Sequence, residues 1–522
     1  MQDDEAEPTT GEAIALDAAD LEKTFGGVRA LRGVSVQVRA GEVACLIGEN
    51  GSGKSTFVKI VSGVHRPDSG TVSVHGQPLA GGDPREAIAA GVQVIYQDLA
   101  LFDDLSVAEN IAMNRLIHDG TRVVRRSRMR EIARETLARV GVELDLDVPI
   151  SSVSFANRQI VAICRALSMN ARVLFMDEPT TALTTKEVRR LLRIVAELKE
   201  LGLAIVFISH KLDEVMEVAD SVTVFRDGSK VGDFAADQMD TGQLTYHMTG
   251  HEVVHEPYVR SQDDDTPILE LDELTRAGHY ENISLSVRPG DIVGVTGLLG
   301  SGRTEVALSL FGLNPADSGT VRIDGKQVEI TSPIMAMKLG IALLPESRQE
   351  QGLFMGYSAE RNISAAQLDR VTTAPGILST RRERELAREV ISFMGVNNRE
   401  PRTVVGNLSG GNQQKIVIGR GVSMSPKIYI LDSPTVGVDI GAKAEIYARI
   451  QAMARDGMGV ILISDEPEEI AANCNRVVVM HDGRIVERLD SDDVAAEDFA
   501  DRLGSLITDP GQTSEGHTEA RL

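Results

Sequence analysis

Nine consecutive residues, Gly48, Glu49, Asn50, Gly51, Ser52, Gly53, Lys54, Ser55 and Thr56, have the types and spacing that hold a chain of phosphates. The glycines let backbone N–H groups turn inward around an anion, and a helix starting directly afterwards presents its positive N-terminal end. Lys54 is placed to reach the β- and γ-phosphates, and Ser55 to ligate Mg²⁺. The apolar run Val43–Ile47 before the loop reads as a buried strand, the context such a loop requires.

A second apolar run, Val173–Met176, ends in two carboxylates, Asp177 and Glu178. Downstream of a phosphate loop, Asp177 reads as a magnesium ligand acting through water, and Glu178 as a general base for the attacking water. Without that loop the pair would read as well as a helix N-cap. His210 closes the next apolar run, Ala204–Ile208, where it could meet the γ-phosphate. The chemistry implied is hydrolysis of a nucleoside triphosphate.

The elements that position these residues are written twice. Gly48 to Ser55 recurs as Gly297, Gly300, Gly302, Arg303 and Thr304, an offset of 297 − 48 = 249. Asp177 and Asp432 differ by 255, as do Asp227 and Asp482, so a net insertion of 255 − 249 = 6 residues lies in the middle of the second copy. The copies span 14–258 and 267–506, with a polar linker over 259–266, an acidic tail over 1–13 and a polar tail over 507–522. The runs Ile292–Val295, Lys427–Leu431 and Gly459–Ile463 repeat the strand pattern of the first copy. Short, continuously apolar strands between helical patterns predict an α/β fold, each copy with a mainly parallel core sheet covered on both faces.

Composition bounds the partners. Lys and Arg number 54 and Asp and Glu 77, a formal charge of −23, which argues against a nucleic-acid or acidic-lipid binder. The three cysteines, Cys45, Cys164 and Cys474, are far apart and read as small buried apolar residues. No run approaches the roughly 18 apolar residues of a spanning helix. The start, Met1 to Glu5, lacks the basic and apolar character of a signal peptide. Membrane association is therefore expected only through a partner.

Taken together these elements resemble the ABC ATPase family over nearly the whole chain. Its diagnostic Leu-Ser-Gly-Gly-Gln signature is matched by Leu408, Ser409, Gly410, Gly411 and Asn412. The resemblance implies a two-subdomain α/β fold with a helical subdomain, and ATP and Mg²⁺ as cofactors. It makes Phe25 the aromatic that stacks on adenine and Gln97 the glutamine that links the metal site to a transmembrane partner. With Ser55 and Asp177, Gln97 would complete the metal ligands. It makes His210 the switch histidine and places 181–184 in the D-loop.

Each copy departs from the pattern in its own way. The first replaces the signature with Val153-Ser154-Phe155-Ala156-Asn157, whose side chains would obstruct a phosphate. The second replaces the loop lysine with Arg303, the glutamine with Glu346, the base with Ser433 and the histidine with Asp465. ABC domains pair head to tail, each ATP lying between one domain's phosphate loop and the other's signature. Pairing the two copies would then give one complete composite site and one degenerate site.

The tandem layout and Asn407-Leu-Ser-Gly-Gly-Asn-Gln-Gln-Lys415 are similar to the ATP-binding subunits of bacterial monosaccharide importers of the ribose, galactose and xylose type. That class implies a permease, an extracytoplasmic solute-binding protein and a peripheral place on the cytoplasmic face of the inner membrane. A nucleoside importer subunit shares the layout. A soluble tandem ABC protein acting on ribosomes would carry two intact sites and a long charged linker, which this chain lacks. The exposed-looking stretch Leu99 to Leu105, centred on Phe102, and its parallel Gly352 to Met355 either pack under the helical part or dock the permease.

Overall fold

The structure is a computed structural model. It describes residues 13–508 except 122, 181–182, 210, 251–256, 263, 299, 375, 398–399, 495 and 497–498. The chain divides into two compact units, Met1–Val253 and Val254–Leu522.

In the first unit the core is a six-stranded sheet. Its order is Ser229–Ala235, Ser221–Arg226, Val43–Gly48, Ala204–Ile208, Val173–Asp177, Val92–Ile95. All neighbours are parallel except the first pair. The central strands are buried on every residue but Asp177, as strands covered on both faces must be. Their parallel register brings the ends of Val43–Gly48, Val173–Asp177 and Val92–Ile95 to one sheet edge.

The helix after the phosphate loop, Lys54–Val61, is fixed to this sheet by Phe57. Its buried ring lies 6.4 Å from Phe175 and 5.7 Å edge-on from Phe225. Burying a ring of this kind contributes about 1.5–3 kcal/mol, so the loop is seated by packing before any ligand is bound. The helices Val107–His118, Arg126–Arg139 and Phe155–Ser168 pack together as the helical part.

The sequence reading passed over a second sheet. The long strands Ile14–Phe25 and Val28–Arg39 pair antiparallel and continue through Ser69–Val74 to Gln77–Leu79. Register shifts around Ala18 to Leu21, with Asp20 at φ 51°, break the alternation that would have announced a strand.

The second unit repeats both sheets, with core order Ile341–Leu344, Ile428–Asp432, Gly459–Ile463, Ile292–Gly297, Arg476–His481, Arg484–Leu489. The net insertion resolves into two steps. The offset is still 249 at Gln97 and Glu346, but 354 − 102 = 252 at Phe102 and Phe354, after a π-helical turn over Arg348–Gly352. It reaches 404 − 149 = 255 at the bridged residues Pro149 and Val404, beyond a small hairpin of Thr372–Ala374 and Ile377–Leu378.

Tyr258 belongs with the second unit, where its hydroxyl donates to Gly290 O at 2.8 Å. The polar stretch that follows is held there too. Arg260 Nε donates to Pro289 O at 2.9 Å, and Gln262 Nε2 to Arg455 O at 2.8 Å. All three cysteines are buried and free. No helix among the described residues is long and apolar enough to cross a membrane. Met1 to Glu12 and 509–522 lie outside the described residues.

Candidate functional site

The phosphate loop needs its glycines for a steric reason. A Cβ at Gly48, φ 150°, would overlap the Phe225 carbonyl, and one at Gly53, φ 107°, would lie 2.7 Å from Ala30 O. Gly51 also has positive φ, at 86°. Gly53 caps the following helix, so its orphan N–H groups face the loop. Lys54 Nζ donates to Gly48 O at 2.5 Å and Glu49 O at 3.0 Å, folding the ammonium over the loop's mouth. Ser52 Oγ is buried without a protein partner, and so is Ser301 Oγ at the same place in the second loop. A cradle with a buried hydroxyl left over fits a phosphate.

Asp177 ends its strand half-buried. Burial raises its carboxyl above the usual range and the neighbouring Glu178 adds to the rise, while Lys54 and Lys59 oppose it. The Asp177 carboxylate, the Ser55 hydroxyl and the Gln97 amide are oxygen donors of the kind that fits Mg²⁺. Gln97 lies two residues past the strand Val92–Ile95, exposed at the same sheet edge.

Glu178 sits in the left-handed region, φ 48°, where a side chain costs roughly 1–2 kcal/mol. Its N–H donates to Ile208 O at 2.9 Å, tying the strained turn to the neighbouring strand. The second copy builds the same turn around a residue that cannot act as a base: Ser433 has φ 49° and donates to Ile463 O at 2.9 Å.

The second loop is occupied differently. Arg303 Nη1 donates to Ser464 O at 3.0 Å, and Thr304 Oγ1 to Asp432 Oδ2 at 2.8 Å. Burial lowers the Arg303 guanidinium, against the charges of Asp465, Asp432, Glu346 and Glu305 around it. Burial pushes Asp432 up to about 6, against the bond from Thr304, with Glu346 adding to the rise.

Both signature segments start helices, Phe155–Ser168 after Ser154 and Gly410–Val422 after Ser409. In the second copy a Cβ at Gly411 would lie 2.8 Å from Ala442 Cβ, so the glycine permits close helix approach. Asn412 Nδ2 donates to Ser409 Oγ at 2.9 Å. In the first copy the corresponding Phe155 is exposed.

Phe25 ends its strand with an exposed ring, 5.2 Å edge-on to His65 and with Lys23 Nζ 5.5 Å from its centroid. Lys23 pairs with Asp68 at 2.8 Å, and Thr24 N–H donates to Asp68. In the second copy Ala277 N–H donates to Asp317 in the same way, which puts Gly278 where Phe25 stands. That loss of an aromatic is a further departure of the second copy. His210, Thr181 and Ala182 lie outside the described residues.

Two residue pairs not apparent as functional in the sequence hold these segments. Glu214 accepts from Thr180 Oγ1 at 2.6 Å and Ser209 Oγ at 3.3 Å, joining the segments after Glu178 and before position 210. Glu469 takes the same place in the second copy, and its common offset of 255 was the available signal. The other pair is Asn110 and Asn362, 2% and 0% exposed. Asn110 accepts from Phe102 N–H and donates to the carbonyls of Phe102, Leu105 and Ser106. Asn362 does the same for Phe354, Tyr357 and Ser358. Each clamp leaves its aromatic in solvent, Phe102 55% and Phe354 56% exposed, while Leu99 and Leu353 are buried.

A family profile described as ABC transporter matches residues 31–181 and 280–436. The chain belongs to the ABC transporter ATPases. It is 41% identical over 497 residues to a ribose import ATP-binding protein of Streptomyces avermitilis, covering 94% of this chain and 96% of that protein. It is 42% identical to one of Streptomyces coelicolor, covering 94% and 96%, and 38% identical to one of Geobacillus kaustophilus, covering 92% and 98%. As an ABC ATPase the chain binds ATP and couples its hydrolysis to transport of a solute across a membrane. The resemblance drawn from the signature and the phosphate loops therefore holds, as does the fold expected from it.

Proposed function

We propose that this ABC ATPase energises import of a monosaccharide, with ribose the first candidate, from the cytoplasmic face of the membrane. One composite site, the first copy's phosphate loop with the second copy's signature, would perform all the hydrolysis. The observation that carries this reading is the matched pair Glu178 and Ser433, the same strained turn with and without a base. The three relatives, all ribose import proteins, support the cargo class.

In this mechanism the N–H groups of Gly51 to Ser55 and the Lys54 ammonium bind the β- and γ-phosphates, and Phe25 offers its face to adenine. Ser55, Gln97 and Asp177 would hold Mg²⁺, which when bound neutralises phosphate charge. Glu178 accepts the proton of the attacking water, and His210 orients the γ-phosphate from the adjoining strand end. Ser409 and the N–H groups of Gly410, Gly411 and Asn412 cap the γ-phosphate from the opposite domain. In the second site Gly297, Gly300, Gly302, Arg303 and Thr304 hold nucleotide without turnover.

Two substitutions test the asymmetry. Ser433→Ala is expected to leave ATPase and uptake within about twofold of wild type, because no base is removed. Ser409→Arg is expected to abolish turnover as fully as Lys54→Ala. Steady-state phosphate release by the purified subunit measures both. Collapse in Ser433→Ala, or full activity in Ser409→Arg, would overturn the composite reading.

The partners expected are a permease, held through Phe102 and Phe354, and indirectly an extracytoplasmic solute-binding protein. The paired asparagine clamps support this contact, since they spend a buried polar side chain in each copy to keep an aromatic in water. Asn362→Ala removes a buried donor set and is expected to cost about 1–3 kcal/mol of stability, read as a lower urea midpoint.

A further inference from the structure

The degenerate nucleotide site of the second copy is tied together by polar contacts, some shared with the first copy and others, those of Lys443 and Tyr447, made by side chains the first copy lacks. Glu469, buried, accepts from Thr435 Oγ1 at 2.7 Å, Tyr447 OH at 2.6 Å and Ser464 Oγ at 2.9 Å. Lys443 Nζ lies 2.9 Å from the same carboxylate and donates to both oxygens of Glu466, at 3.0 and 2.8 Å. Glu466 N–H in turn donates to Ser464 Oγ at 3.1 Å, while Arg303 of the phosphate loop holds Ser464 O. Arg348, in the π-helical turn after Glu346, donates to Val436 O at 2.6 Å and Gly437 O at 3.3 Å.

Four segments are thereby joined: the phosphate-loop helix Arg303–Leu310, the residues after Ser433, the switch segment Ser464–Glu466 and the helix Ile440–Arg455. Lys443 and Tyr447 stand four apart on that helix and so face the same neighbour. Their counterparts at the offset of 255 are Val188 and Leu192, which carry no donors, and Glu466 corresponds to Lys211. Among the described residues of the first copy, Glu214 keeps the part of this arrangement made by Thr180, Ser209 and an ion pair with Lys211 at 3.4 Å. The Glu469 end of this network is largely withdrawn from solvent and multiply bonded, while Glu466 stays half exposed, so the bonds that converge on Glu469 favour one arrangement of the segments they join.

We propose that Lys443 and Tyr447 are positioning residues that lock the second copy's switch segment in one conformation whether or not nucleotide is bound, making that copy the static half of the motor. The proposal rests on the reading that the second site does not hydrolyse. In the first copy Val188 and Leu192 cannot make these bonds, and the homologous segment would move with the state of its nucleotide.

Amide hydrogen exchange on the full chain carrying Glu178→Gln, with and without ATP, tests this. Peptides spanning 209–216 are expected to slow by about tenfold on ATP binding, and those spanning 464–470 by less than about twofold. In Lys443→Met with Tyr447→Phe the 464–470 peptides should become ATP-responsive, and Lys443→Arg should keep them unresponsive. An ATP response of 464–470 in the parent equal to that of 209–216 overturns the lock. So does an unresponsive segment in the Lys443/Tyr447 double variant, provided its 209–216 peptides respond normally and so report a folded protein; a variant failing that control is replaced by Tyr447→Phe alone, judged by the same two outcomes. Phosphate release by Glu178→Gln is scored separately, and turnover there would overturn the one-base reading instead.

Discussion

Glu178→Gln is expected to abolish ATP turnover while leaving ATP binding intact. The amide matches the carboxylate in size, so the strained turn at φ 48° and its bond to Ile208 O should persist. What would disappear is the carboxylate proposed to take the water's proton, Asp177 being assigned to the cation. Removing a general base costs roughly 10²–10⁴-fold in rate. Loss of the Glu178 charge also relieves the repulsion that raises Asp177, so nucleotide affinity should hold or improve. Phosphate release together with fluorescent-nucleotide titration checks both halves. Steady-state ATPase within tenfold of wild type would sink the assignment.

Phe102→Glu should separate hydrolysis from transport. The ring is over half exposed at the end of a loop pinned from beneath by Asn110, so replacing it disturbs no core contact. Stability should change by no more than about 0.5 kcal/mol, and the isolated subunit should keep its ATPase. In the complex, a carboxylate would take the place of an aromatic anchor in an apolar contact. Losing an anchor of that kind costs about 2 kcal/mol or more, close to a thirtyfold weakening of permease binding. Uptake into reconstituted vesicles and permease stimulation of ATPase should fall together. Normal uptake by a stably folded Phe102→Glu protein would refute the contact.

The parts legible in the sequence were those with a short-range signature. Runs such as Val173–Met176 and Gly459–Ile463 are continuously apolar because both faces are covered, and a run of four or five such residues needs no partner to be read. Gly48 and Gly53 are fixed by backbone crowding that a spacing rule captures. The antiparallel sheet was hidden because its bulges shift the alternation midway along each strand. The clamps at Asn110 and Asn362 look like ordinary helix residues until the loops they hold are seen, since their bonds run backwards to backbone N–H and C=O groups up to eight residues away. Lys443 and Tyr447 carry no local signature, because their partners, Glu466 and Glu469, lie on a segment more than twenty residues further on.

On the proposed one-base reading, the serine at position 433 would also set a thermodynamic ceiling. A transporter driven by one such chain would use one nucleotide per closure, where a chain with two working bases would use two. The steepest solute ratio it can sustain across the membrane depends exponentially on the free energy delivered per cycle. Halving that free energy reduces the limiting ratio to its square root. A carrier built this way would trade the steepest limiting ratio for economy of nucleotide.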